Sequence, residues 1–112
     1  MKQIDLEDGR PDVATAMVRL NNRIHAARAT GDRACKIIHG YGSTGKGGAI
    51  KSACLTELRG YKRRGFIKDF CPGEKFGPFS EGGRRMTAAF PELNRDRDWA
   101  RMNDGITVVL FK

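Results

Sequence analysis

A chain of 112 residues, with 21 Lys and Arg against 13 Asp and Glu, has a net charge of +8 and a pI near 9.9. That length supports one domain, 1–112, with a modest core. Its 39% hydrophobic and 30% charged residues exclude a disordered chain. No apolar run approaches a membrane span, and the N-terminus MKQIDLEDG turns acidic too soon for a signal peptide. The charge is uneven: residues 1–12 carry a net −2, so the remainder carries +10. Such an excess favours a polyanionic partner, nucleic acid foremost, over ordinary solubility charge. Three cysteines (35, 54, 71) with no C-x-x-C suit free core thiols in a reducing cytoplasm better than disulfides or a structural zinc.

Gln3–Leu6 reads as a short first strand, broken by Asp8-Gly9-Arg10-Pro11. Pro11 suits the first turn of a helix. Val13, Met17, Leu20, Ile24 and Ala27 follow as one apolar stripe, with Arg19, Arg23 and Arg28 off it, and Thr30-Gly31 ends the helix. Cys35–His39 is a second, mostly buried strand, followed by the glycine-dense turn Gly40-Tyr41-Gly42-Ser43-Thr44-Gly45-Lys46-Gly47-Gly48. A second helix runs from about Gly48 to Arg64 with Ile50, Ala53, Cys54, Leu58 and Tyr61 on one side, stopped by Gly65. Phe66–Phe70 alternates as a third strand, and Ile106–Phe111 is the last. The residues between, about 72–104, are too many for a hairpin turn. They read as an insertion held down by Phe76, Phe79, Phe90 and Trp99, with short helices near Arg85–Phe90 and Asp96–Met102.

The order is strand–helix–strand–helix–strand–insert–strand. Helical crossovers between consecutive strands imply parallel, right-handed connections. The expected fold is α/β, a two-layer α+β sandwich: a four-stranded mixed sheet with two helices on one face. The other face is solvated, covered by the insert, or used.

A strand, then glycines, then a helix forms a phosphate-binding arrangement, because the helix start offers unpaired N–H groups and glycines let an oxyanion approach. Gly40, Gly45 and Lys46 fit Walker A spacing, but Gly47 stands where the metal-binding hydroxyl belongs. A tight turn that binds nothing is the plainer alternative. Starting one residue earlier, Ile37-Ile38-His39-Gly40-Tyr41-Gly42 through Lys51 resembles the H-G-x-G-x-G-x-L-[KR] signature of the Smr (small MutS-related) domain. Asp104-Gly105-Ile106-Thr107-Val108-Val109-Leu110 is similar to the family's last strand. The motifs cover residues 2–71 and 104–112 and leave the insert outside. One departure stands out: the family's Leu-Asp-Leu-His (or Arg) near the first strand is Ile4-Asp5-Leu6-Glu7 here.

The resemblance implies nucleic-acid binding and, in several members, endonuclease activity on DNA or RNA. His39, Asp5 and Glu7 are then the candidate catalytic residues. His39 would act as acid or base, and the two carboxylates would hold Mg²⁺ or Mn²⁺ against a phosphate. Gly40, Gly42, Ser43, Thr44, Gly45, Lys46 and Lys51 are the candidate phosphate contacts. The readings that need no ligand stay open: His39 shaping the turn through backbone hydrogen bonds, Asp5 capping a turn or pairing with an arginine, His25 at the surface. So do a non-catalytic binding module and a protein-interaction module built on the insert's aromatic residues.

Overall fold

The computed structural model describes residues 1–41 and 46–112, with 46 and 47 as backbone only. The elements are β1 (Lys2–Asp5), α1 (Val13–Ala29), β2 (Ala34–Ile38), α2 (Lys46–Arg63), β3 (Asp69–Pro72), α3 (Glu81–Ala89) and β4 (Ile106–Leu110). Short 3₁₀ turns lie at Gly73–Lys75 and Pro91–Arg95. The sheet order is β1-β2-β4-β3. β1 and β2 are parallel, as a helical crossover requires, and β4 is antiparallel to both its neighbours. The mixed four-stranded sheet is the expected one.

Alternation along β2 divides the molecule. Cys35 and Ile37 join Ile4, Val109 and the apolar stripes of α1 and α2 in one core. Ala34 and Ile38 face the other way, into a second core with Cys71, Phe76, Met86, Leu93, Ile106, Val108 and Leu110. Residues 72–104 therefore cover the second face of the sheet. Of the three fates open to that face, burial under the insert is the one realised.

Local chemistry explains the element ends. Asp12 caps α1, its Oδ1 accepting the Thr15 N–H at 2.8 Å, so Pro11 stands just ahead of the helix rather than in its first turn. Gly31, at φ 81°, supplies the left-handed residue after the helix. Phe66 and Ile67 do not enter the third strand. Both N–H groups return to the Tyr61 carbonyl at the end of α2 (2.9 and 3.4 Å), and Phe66 stacks on His25 and Tyr61. The strand begins at Asp69, three residues after the expected start. The helix near Arg85 starts earlier, at Glu81, because the Ser80 hydroxyl caps the Gly83 N–H at 2.8 Å. Asp96–Met102 is not helical, since Ala100 and Met102 take positive φ.

A charged group lies inside the second interface, centred on Lys36. Lys36, in the middle of β2, is 3% exposed. Its Nζ donates to Asp96 Oδ2 at 2.7 Å and Asp98 Oδ2 at 2.5 Å. Asp98 also accepts from the Asn103 amide at 3.0 Å. The group ties the far end of the insert to the sheet. A buried ammonium is tolerated only with such partners. Lys36→Ala strands two carboxylates, and urea denaturation is expected to show a loss of about 3–5 kcal/mol. Lys36→Met combined with Asp96→Asn and Asp98→Asn is expected to recover most of it, since the whole charged group then disappears together.

Candidate nucleic-acid interface

β1 and β2 run parallel, so both end at the same edge of the sheet, where α/β folds commonly present their ligands. The two backbone N–H groups that follow β2, His39 and Gly40, both donate to the Gly105 carbonyl at 3.1 and 3.0 Å. Gly40 then turns through φ 85°, a conformation that favours glycine. The Glu7 carboxylate packs so closely on it that a Cβ there would collide. Leu6 N–H donates to the Ile38 carbonyl at 2.8 Å. Glu7 and the His-Gly turn are thus brought together, as the parallel pairing predicts.

His39 is fully buried. Its Nδ1 lies 2.9 Å from the Gly40 carbonyl, to which it donates, so Nε2, 2.8 Å from Thr107 Oγ1, accepts from that hydroxyl. Both nitrogens are occupied within the protein, and a neutral ring satisfies both contacts. Burial lowers its pKa, helped by the Lys51 charge and opposed by the Gly40 carbonyl, Glu74 and Asp104. Asp5 is similarly engaged: its Oδ1 accepts the Glu7 N–H at 2.8 Å, and its backbone carbonyl accepts from Arg23 at 3.2 Å. The carboxylate thus caps locally, while the Arg23 contact falls on the backbone carbonyl and is not an ion pair with the Asp5 side chain.

Lys51 does not point free. Its Nζ donates to both Glu74 carboxylate oxygens (2.8 and 3.1 Å) and to the Asp104 carbonyl (2.9 Å). Burial raises the Glu74 pKa, and the Lys51 bonds outweigh it, so the net shift is downward. Lys51 thereby joins α2, the turn after β3 and the start of β4 in one place. Gly42, Ser43, Thr44 and Gly45 lie outside the described residues. Lys46 opens α2, and its side chain lies outside them as well.

Residues that the motifs do not single out complete the edge. Tyr41 is 57% exposed, and its ring packs beside Gly105. A cavity of about 150 Å³ opens there, lined by Glu7, Gly40, Tyr41, Arg97, Asn103 and Gly105 among others. Arg97 comes from the insert and is exposed. An exposed aromatic ring, a guanidinium and backbone at a glycine turn are groups that contact bases and phosphates. The thiols take no part. Burial pushes Cys35 and Cys54 up to about 12 and Cys71 up to about 11, far from a reactive thiolate. Among the described residues, no helix is long and apolar enough to cross a membrane.

The protonation of His39 has a measurable consequence. The unfolded chain takes up a proton near the ordinary value of 6.5, and the folded chain only at lower pH. Between those values the unfolded state binds more protons, so stability rises with pH and is lost as pH falls below about 6.5. Melting temperatures from about pH 8 to about pH 5 are expected to fall over that window. The fall should be shallower in His39→Gln. Lys51→Ala is expected to cost about 1–2 kcal/mol in urea denaturation.

The model of the Smr domain family matches residues 4–77. The crystal structure of the Smr domain of Thermus thermophilus MutS2 is similar at a TM-score of 0.60 and 26% identity, over 100% of this chain and 99% of that one. That likeness takes in residues 72–104, which the sequence motifs alone leave outside. Comparison with curated protein sequences gives no match.

Proposed function

The chain belongs to the Smr domain family, and on that premise we propose that it binds nucleic acid at the His39-Gly40-Tyr41 end of its sheet. The observation that carries this reading is the pinned turn itself. Gly105 holds the His39 and Gly40 N–H groups, and the turn presents exposed Tyr41 beside Arg97 over an open cavity. α2 begins just beyond it with Lys46, and the start of a helix favours an anion. A phosphate backbone supplies the anion and a base supplies a face for Tyr41. We read the domain as cytoplasmic, on its three free cysteines.

In this reading Gly42, Ser43, Thr44, Gly45 and Lys46 make the phosphate contacts, while Gly40, whose N–H is already held by Gly105, shapes the turn. Lys51 acts at one remove, by holding the start of α2 against β4. His39 is a positioning residue: its ring bonds the turn to β4 and touches no ligand.

Phosphodiester cleavage at the same edge is a second reading, favoured by Glu7. Its exposed carboxylate abuts the turn and makes no hydrogen bond or ion pair among the described residues. Among those residues no group of three or more His, Cys, Asp or Glu could hold a metal ion. Mg²⁺ and Mn²⁺ need less, since one or two carboxylates with waters and substrate phosphates suffice. Asp5, through its second oxygen, and Glu7 would supply them, and the ion would offset charge on the phosphate. Glu7 itself can take a proton from an attacking water.

Fluorescence anisotropy with labelled DNA and RNA tests the binding. Affinity is expected to fall steeply with salt, by about 0.7 in slope for each single-strand phosphate contacted. Lys46→Ala and Arg97→Ala should each weaken it about fivefold. No binding to either polymer at low salt overturns the proposal. Glu7→Gln separates the two readings. It removes a negative charge, so binding should tighten by up to about fivefold. A nicking assay with Mg²⁺ or Mn²⁺ should lose activity if Glu7 takes part in cleavage.

A further inference from the structure

Phe79 is 94% exposed and Met102 74%. They rim a groove of about 250 Å³ that Phe76, Gly77, Ser80 and Ala100 also line. Water-facing aromatic rings of this kind mark interaction sites when they sit over a fixed concavity rather than singly.

The surroundings fix this one. Ala100 and Met102 hold left-handed φ of 63° and 55°, which non-glycine residues adopt only where the rest of the structure imposes it. Ala100 N–H donates to the Phe76 carbonyl at 2.8 Å. The chain is packed backbone to backbone behind the groove. A Cβ on Gly77 would press on Ala100, and one on Gly83 would strike the Gly77 carbonyl. Beneath, Phe76 meets Trp99 edge to face at 5.0 Å. The segment therefore has little room to fold Phe79 inward.

The charge around the rim is basic. Lys75 lines the groove. Arg84 reaches the Pro78 carbonyl at 3.0 Å, next to Phe79, and exposed Arg101 adjoins Met102. Exposed Glu81 opposes them, and Glu74, also on the wall, is paired with Lys51. The groove also adjoins the interface described above, since Met102 lines the one and its neighbour Asn103 the other.

We propose that this groove receives an unstacked base of a single-stranded segment, with the ring of Phe79 as its stacking face and Lys75, Arg84 and Arg101 on the flanking phosphates. The inference rests on the nucleic-acid reading and adds the form of polymer. Every base has a face to stack on an aromatic ring, but only an unpaired one can leave its neighbours at small cost. An apolar protein segment would cover Phe79 equally well, yet would leave the cations unanswered.

The test uses anisotropy with a labelled single strand and a blunt hairpin duplex of equal length. Phe79 is so exposed that Phe79→Ala should fold normally, which circular dichroism checks. Phe79→Ala is expected to lose about 5- to 100-fold in single-strand affinity with duplex affinity and salt dependence unchanged. Phe79→Trp should retain affinity. Its added fluorescence over the parent, whose single tryptophan is Trp99, should be quenched by the single strand and not by the duplex. Unchanged single-strand binding by Phe79→Ala, or equal loss on both probes, overturns the inference and leaves the nucleic-acid reading standing. A parent that binds neither probe overturns both. Self-association in sedimentation that Phe79→Ala abolishes, with single-strand binding intact, would assign the groove to a protein contact instead.

Discussion

One carbonyl oxygen, that of Gly105, organises the edge of the sheet where β1 and β2 end. It receives the N–H groups of both His39 and Gly40, so the chain leaving β2 cannot continue as a strand and must turn where it does. The His39 ring repeats the attachment from the other side. It bonds Thr107, two residues further along β4, and its own neighbour's carbonyl. Lys51 adds a third tie to the same stretch through the Asp104 carbonyl. The glycine turn is thus fastened to β4 by backbone, imidazole and ammonium together. Such preorganisation lets a ligand meet groups already in place, without the entropy of ordering them on contact.

The basic excess is dispersed by the same architecture. Lys36, Lys51, Lys62 and Arg85 are drawn into ion pairs with carboxylates. Arg28, Arg33 and Arg64 lie over the rings of Phe66, Phe90 and Tyr61, where their planar groups are weakly hydrated and stack well. Asp69 shows how these pairs act. Burial pushes its carboxyl up, and the bonds from Arg85, Lys62 and the Phe70 N–H together hold it below the usual range. Part of the charge therefore fastens elements to one another, and of the cations outside these contacts five, Lys75, Arg84, Arg95, Arg97 and Arg101, lie on the insert.

Local signals were enough for the parts of the fold that depend on near neighbours. The stripe from Val13 to Ala27 marks α1, Gly31 marks its end, and His39-Gly40 between a strand and a helix marks the turn. What escaped depends on distant partners. Lys36 in the run Cys35-Lys36-Ile37-Ile38 reads as a strand residue with an ordinary charged side chain. Its carboxylates lie 60 and 62 residues away. The occupation of His39 is hidden for the same reason, because Thr107 stands 68 residues along. Phe66-Ile67 looks like strand by composition, yet aromatic contacts with His25 and Tyr61 hold it to the helix end. Arg97 had no local mark, as it alternates with aspartates in a way that suggests a plain solvated surface. Those aspartates are the ones that turn inward to Lys36, and their inward turn goes with Arg97 facing out.

The position of β4 bears on how the domain is made. It is the last strand in the chain and yet lies inside the sheet, between β2 and β3. Until residues 106–110 have left the ribosome, β1 and β2 form only a two-stranded ribbon, and β3 has no strand beside it. Two-stranded sheets are marginal in water, and pairing across such sequence distances is slow. Both faces of the nascent sheet, with Ile37 on one and Ile38 on the other, stay incompletely covered until β4 joins. Completion thus depends on one segment, which supplies the Gly105 carbonyl, closes both cores and fixes the turn at once. The folded sheet and the finished edge appear in the same step.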